Sequence, residues 1–145
     1  WVISWVMAAF GLGMIVGMST GGKLSDWSVR KGITVALVWN LVVMMLFPLM
    51  ATHALSGVIA TFLIGTTSML IPCLQIRLMD VAGKAQTLAA AMNHSALNIA
   101  NALGAFLGGM VIDAGFGWTS TAGVGGALGV IGLLAYLSSL SRKKA

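Results

Sequence analysis

Five long stretches without Asp, Glu, Lys or Arg constrain the fold more than any other feature of this sequence. They cover approximately residues 1–22, 33–52, 55–76, 88–112 and 118–141. A helix of about 20 apolar residues crosses the hydrocarbon core of a bilayer, which is about 30 Å thick. Every backbone N–H and C=O in that core needs a partner within the protein, which favours helices. The pattern therefore predicts an all-α integral membrane protein, with five transmembrane helices packed in one bundle.

The composition agrees with a membrane protein and gives no sign of an enzyme. Charged residues make up 8% of the 145 residues, whereas soluble domains carry roughly a quarter. So few charges cannot cover a water-facing surface, and short alternating strands typical of a membrane barrel are not seen. The sequence shows no nucleophile–base–acid set, no metal-ligand spacing and no phosphate-binding loop. We therefore expect no catalytic residue, no metal and no cofactor.

Basic residues occur only at alternate ends of the five stretches, which predicts how the chain is oriented. The segments around His53 and Asp113 contain none. Positive charge stays on the cytoplasmic side during insertion, so we expect the N-terminus outside and the C-terminus in the cytoplasm. The net charge of +5 is then an orientation signal, and no nucleic-acid partner is expected. All eight basic residues fall in the three segments predicted to lie inside: Lys23, Arg30, Lys31; Arg77, Lys84; and Arg142, Lys143, Lys144.

Glycines recur four residues apart on three of the predicted helices. Small residues at this spacing form a groove in which another helix backbone can approach closely. Pro72 should also bend the third helix, because it cannot donate the i→i−4 hydrogen bond. These features predict closely packed helices. The glycine sets are Gly13, Gly17, Gly21; Gly104, Gly108; and Gly125, Gly129.

The first predicted inner loop, residues 22–32, carries the most specific motif. Its residues Gly22, Leu24, Asp26, Arg30 and Lys31 match the spacing of Gly-x-Leu-x-Asp-Arg-x-Gly-Arg-Lys, and the loop resembles this signature of the major facilitator superfamily. Trp27 and Val29 depart from the pattern, as in the copy found in the C-terminal half of the family's 6+6 fold. Asp26 could lie near a helix N-terminus, where the macrodipole favours an anion. The resemblance implies a cytoplasmic latch, whereas the simpler alternative is an ordinary basic inner loop.

A second resemblance covers residues 77–118. This region is similar to the tenth and eleventh helices of proton-coupled efflux carriers, and within them to the bacterial arabinose/sugar efflux permease branch of the drug:proton antiporters. Gly104, Gly108 and Gly109 are similar to the antiporter Gly-Pro-x-x-Gly-Gly motif, with Ala105 in place of Pro. The resemblance implies that the chain forms helices eight to twelve, part of the C-terminal six-helix half. The missing N-terminal half of the same carrier would be its partner, and the chain alone would not transport.

Polar side chains inside the predicted helices are the candidates for a substrate cavity. His94, Asn98 and Asn101 recur at i, i+4 and i+7 and share one helical face; Asn40 and Gln75 are weaker candidates. Polar groups in mid-membrane usually point into the protein or a cavity. Such amides suit neutral solutes rich in hydroxyl or amide groups. The alternative is that they hold the bundle together by interhelical hydrogen bonds.

Proton coupling has one candidate group within this chain. His94 is the only ionisable side chain well inside a predicted helix, and imidazole exchanges protons near neutral pH. Carriers of the type that the sequence resembles often hold their coupling acid in the other half, so both locations stay open.

Together these features predict the C-terminal part of a secondary active efflux carrier in a bacterial inner membrane. It would export small solutes, sugars or drug-like compounds, in exchange for protons by alternating access. The rival prediction is a self-contained small membrane protein that homo-oligomerises through its glycine faces as a channel subunit or assembly partner. The start at Trp1, predicted to lie outside, favours a fragment of a longer carrier.

Overall fold

The computed structural model describes residues 1–141, and helices account for nearly all of them. Residues 142–145, with three basic residues of the predicted inner tail, lie outside the described part. Two short 3₁₀ turns, Thr67–Met69 and Gly83–Ala85, connect helices. The all-α prediction is confirmed. The helices are α1 (Val2–Met50), α2 (Ala54–Thr66), α3 (Leu70–Ala82), α4 (Gln86–Asp113) and α5 (Ser120–Ser141).

Helix α1 is folded back on itself at Ser28. Its 49 residues would measure about 74 Å if straight, far more than a bilayer core. Ser28 has extended backbone angles, φ −166° and ψ 110°, and a Cβ placed on Gly32 would lie 3.5 Å from Leu24. The hydroxyl oxygen of Ser28 accepts the backbone N–H of Lys31 at 3.4 Å, which is the position of a helix N-cap. The chain thus forms a first limb (residues 2–27) and a second limb (residues 29–50).

The helices at this corner extend beyond the membrane spans predicted from charge, and the span boundaries stay a prediction. The segment 23–32, predicted as an exposed inner loop, is helical except at Ser28. Polar side chains do not prevent helix formation at the headgroup level, so charge marks the membrane boundary rather than the end of a helix. The capping acceptor is Ser28, and Asp26 lies two residues before it in the last turn of the first limb.

The predicted third membrane helix is interrupted by one 3₁₀ turn whose flanking residues keep right-handed helical angles; α2, this turn and α3 together are called the broken helix. A 3₁₀ turn at Thr67–Met69 separates α2 from α3. Pro72 has no N–H to offer the carbonyl of Ser68, four residues earlier, and its ring crowds that carbonyl. Tightening into a 3₁₀ turn accommodates the loss. The distortion expected from Pro72 is therefore present, one turn before the proline.

Three helical stretches are long and apolar enough to cross a membrane: Ile3–Met50, Ala54–Asp113 and Ser120–Ser141. The first two contain 48 and 60 residues, more than twice the roughly 20 needed for one crossing. Ser28 interrupts the first, and Gly83, with φ +54°, interrupts the second. The division into five membrane crossings stays a prediction, which these two interruptions favour.

The first limb packs its glycine groove against the backbone of α2 and the 3₁₀ turn that follows it. A Cβ on Gly13, Gly17 or Gly21 would collide with a carbonyl oxygen, that of Phe62, Thr66 or Met69 respectively. The residue numbers rise together on both sides, so the first limb and the broken helix run parallel. The groove predicted from the spacing of these glycines is confirmed.

The second limb packs against the same broken helix in the opposite direction. The indole Nε1 of Trp39 donates a hydrogen bond to the Thr66 hydroxyl at 2.8 Å. Near the corner, Ile33, Leu37 and Cys73 form the buried centre of the bundle. Cys73 Sγ donates to the carbonyl of Gly21 at 3.4 Å, so it joins the first limb to α3.

Helix α5 covers the other side of the second limb, and α4 lies between α3 and α5. Cβ atoms on Gly125 and Gly129 would lie 2.9 Å from the side chains of Met44 and Leu41. Side chains therefore fill the space beside this pair, and the close backbone approach stays a prediction. The hydroxyl of Tyr136 donates to the carbonyl of Arg30 at 3.0 Å. The C-terminal part of α5 therefore lies at the same end of the bundle as the corner of α1.

Candidate functional site

A cavity of about 540 Å³ lies between the two limbs of α1, the broken helix and α4. Volumes of this size are typical of small-molecule sites. The 3₁₀ turn at Thr67–Met69 borders it, so the helix break opens onto the cavity. Its polar lining is Asn40, Thr67, Ser68 and Asn101; its other lining residues are Phe10, Met14, Ile64, Gly65, Leu70, Ile71, Leu74 and Leu97.

Two of the polar lining side chains are held by the backbone. Thr67 Oγ1 donates to the carbonyl of Ile64 at 2.7 Å, and Ser68 Oγ donates to the carbonyl of Met14 at 3.3 Å. Their hydroxyl hydrogens are used, but their oxygens keep lone pairs that can accept from a ligand. The Ser68 contact also fixes the 3₁₀ turn to the first limb.

The two asparagines of the cavity are available to a ligand. Within residues 1–141, the side chains of Asn40 and Asn101 form no hydrogen bond with another residue. Each amide offers two N–H donors and an acceptor oxygen. No residue of the described lining carries a charge. The cavity therefore suits a neutral solute with hydroxyl or amide groups and an apolar face.

The three residues of the predicted polar face of α4 do not all line the cavity. The helix is continuous over Gln86–Asp113, so His94, Asn98 and Asn101 do share a face. All three are exposed in this chain; Asn101 lines the cavity, and His94 and Asn98 are not among its lining residues. Their assignment to a substrate cavity stays a prediction.

Gln75, a weaker cavity candidate, takes part in an interhelical contact instead of lining this cavity. Its Oε1 accepts a hydrogen bond from Asn93 Nδ2 at 2.5 Å, and Asn93 is 5% exposed. Sequence reasoning missed Asn93 because it lies one residue before His94, about 100° around the helix from the predicted polar face. A buried partner on a neighbouring helix could not be read from spacing on one helix.

The inner-loop motif, here called the corner motif because it surrounds Ser28, lies at the surface of the described chain. Asp26, Arg30 and Lys31 are exposed, and Gly22 and Leu24 are half-buried. The ammonium of Lys31 lies 4.5 Å from the ring centre of Trp27, a cation–π contact at the position where the signature has an arginine. No ion pair of Asp26 is formed with any residue from 1 to 141, and the latch role stays a prediction.

The antiporter-like glycines of α4, Gly104, Gly108 and Gly109, have few close contacts within the described chain. Positions 104 and 109 face open space, and a Cβ on Gly108 would lie 3.6 Å from Thr121. Gly104 also borders a smaller cavity of about 260 Å³ between α4, α5 and the second limb. Their role as a packing motif is therefore still a prediction.

Long apolar helices and close glycine contacts are the features of a polytopic membrane protein. The chain belongs to the Major Facilitator Superfamily, whose family model matches residues 2–145. The family resemblance seen in the corner motif is confirmed.

Two curated relatives cover nearly all of this chain. It is 37% identical over 140 residues to the inner membrane transport protein YdhP of Escherichia coli K12, covering 96% of this chain and 36% of that protein. It is 34% identical over 147 residues to the uncharacterized MFS-type transporter YfhI of Bacillus subtilis, covering 98% and 36%. The chain thus spans about a third of the length of these relatives. No solved structure matches it significantly.

Proposed function

We propose that this chain supplies helices eight to twelve of a secondary active carrier that exports small neutral solutes, sugars or drug-like compounds, from bacterial cells in exchange for protons. The observation that carries the proposal is the cavity lined by Asn40 and Asn101 at the helix break. Distorted helices often border a cavity in secondary transporters. The N-terminal half of the same carrier would close the other side of the cavity, and alternating access would follow from the two halves rocking against each other.

The location proposed is the bacterial inner membrane, with the N-terminus of this chain outside and the C-terminus in the cytoplasm. The Escherichia coli relative is named an inner membrane transport protein, which supports this location. Arg30, Arg77 and the C-terminal part of α5 lie together at one end of the bundle. The positive-inside rule assigns that end to the cytoplasm.

Solute transport can be tested with the full gene product that carries this chain. It is reconstituted in liposomes loaded with radiolabelled arabinose, and release is followed with and without a proton gradient. We expect gradient-dependent release that an uncoupler collapses. Asn101→Leu and Asn40→Leu should each lower release roughly fivefold, because a lost solute hydrogen bond is worth about 1 kcal/mol.

A matched control separates the cavity from general damage to α4. Ser95 is exposed on the same helix and bonds only the carbonyl of Ala91, so Ser95→Ala should leave release unchanged. If the asparagine variants transport like Ser95→Ala, the cavity assignment is wrong. If the wild-type protein releases other neutral solutes but no pentose, the sugar assignment alone is wrong.

A further inference from the structure

A small basic recess lies between the corner of α1, the C-terminal part of α3 and the end of α5. Its volume is about 190 Å³, and its lining consists of Val29, Arg30, Arg77, Tyr136, Ser139 and Leu140. It shares no residue with the cavity proposed for the solute. The proposed transport cycle gives this recess no role.

Two arginines line the recess, and no acidic residue does. In the part of the chain that the structure describes, no acidic side chain forms an ion pair with Arg30 or Arg77. Two like charges that line one recess repel each other. A bound anion would remove that repulsion and would complete the hydrogen bonding of both groups.

The remaining polar groups of the recess are already occupied by the protein. Tyr136 donates to the carbonyl of Arg30 at 3.0 Å, and Ser139 Oγ donates to the carbonyl of Tyr136 at 2.8 Å. The Arg30 carbonyl also accepts from Thr34 at 3.0 Å. These bonds hold the start of the second limb against α5, and they leave the arginine N–H groups as the available donors.

We propose that this recess binds a phosphate oxyanion, carried either by an anionic phospholipid headgroup or by free phosphate. Guanidinium groups bind phosphate through two parallel hydrogen bonds. The recess lies at the end of the bundle where the basic residues of the corner and of α3 meet, and basic pockets between membrane helices at the headgroup level suit anionic lipids. Val29 and Leu140 add apolar surface beside the charged groups.

The test is a binding titration on the full gene product in neutral detergent, read by native mass spectrometry. The probes are phosphatidylglycerol, phosphatidylcholine and inorganic phosphate. We expect phosphatidylglycerol to bind, phosphatidylcholine to bind more weakly, and Arg30→Gln and Arg77→Gln each to weaken phosphatidylglycerol roughly tenfold, because hydrogen bonds to charged groups are the strong ones. Displacement by inorganic phosphate would identify free phosphate as a ligand, and its failure to compete would assign the recess to the lipid.

The control variant is Lys84→Gln, which removes one positive charge from an exposed side chain outside the recess. It should bind phosphatidylglycerol like the wild-type protein. Arg77→Lys, which keeps the charge but loses the planar fork, should fall between wild type and Arg77→Gln. Thermal unfolding without lipid checks that each variant is folded. Equal weakening by Lys84→Gln, or unchanged binding in both arginine variants, would overturn the proposal.

Discussion

The side-chain amide of Asn93 donates a hydrogen bond to Gln75 across the interface of α3 and α4, with 2.5 Å between nitrogen and oxygen. Asn93 and Gly108 are the two buried residues of α4, so this polar contact lies at a buried point of the helix. Lipid hydrocarbon offers no replacement hydrogen bond, so each amide depends on the other as its partner.

Replacing either Asn93 or Gln75 should destabilise the protein, because the remaining amide loses its hydrogen-bond partner. We expect Asn93→Leu to lower the free energy of unfolding by about 1–3 kcal/mol, because Gln75 then stays half-buried without its partner. A double-mutant cycle with Gln75→Leu should show a coupling of roughly 0.6–2 kcal/mol. Denaturation in mixed detergent micelles, followed by tryptophan fluorescence, measures both quantities.

Asn98 provides the matched control for that cycle, since it is an asparagine on the same helix but exposed. Asn98→Leu should change the unfolding free energy by less than about 0.5 kcal/mol. A coupling of zero between positions 75 and 93 would contradict the contact.

Two glycines of the first limb, Gly17 and Gly11, should differ in how much stability is lost when they are replaced by alanine. A Cβ on Gly17 would lie 2.5 Å from the backbone oxygen of Thr66, whereas Gly11 faces open space. Gly17→Ala should therefore cost about 1–3 kcal/mol, as overpacking does. Gly11→Ala should be neutral or stabilising by up to about 1 kcal/mol through helix propensity.

Melting temperatures of the two variants in the same detergent provide the measurement. Equal melting temperatures would mean that the first limb does not approach α2 as closely as the structure shows. A larger loss for Gly11→Ala would instead place an unseen partner against the outer face of the first limb.

The sequence was most informative where local physics alone decides the structure. Apolar length predicts the helices, and spacing predicts the close contacts of Gly13, Gly17 and Gly21, because a residue without a side chain lets a backbone approach whatever the partner is. Family membership could be predicted from the corner motif for a similar reason, since its residues are adjacent in the chain.

Features that depend on two distant residues could not be predicted in this way. Spacing shows that His94 and Asn101 share a face, but the neighbouring helices decide which of them borders the cavity. The pairing of Asn93 with Gln75 likewise depends on how α4 lies against α3. A turn within residues 22–32 was predicted, but not its confinement to Ser28, because charge reports the membrane boundary, whereas one extended residue reverses the helix.

Ser28 should contribute to stability as the N-cap of the second limb. Replacing an N-cap serine by alanine costs about 0.5–2 kcal/mol, so Ser28→Ala should lower the melting temperature, and Ser28→Asp should restore part of it. Ser19 is the control, because it is exposed and bonds only the carbonyl of Ile15 in its own helix. Circular dichroism melting of the two alanine variants distinguishes them, and equal losses would show that Ser28 does not cap the second limb.

Replacing His94 should leave proton coupling intact, whereas replacing Asn101 should lower all solute movement. His94 is exposed and does not line the cavity proposed for the solute, while Asn101 does. We therefore expect His94→Gln to keep both solute counterflow and sensitivity to the uncoupler within about twofold, and Asn101→Leu to reduce counterflow roughly fivefold. Counterflow needs no proton gradient, so the two assays separate binding of the solute from coupling. If His94→Gln keeps counterflow but no longer responds to the uncoupler, His94 carries the coupled proton. The coupling group would then lie in this chain rather than in the N-terminal half.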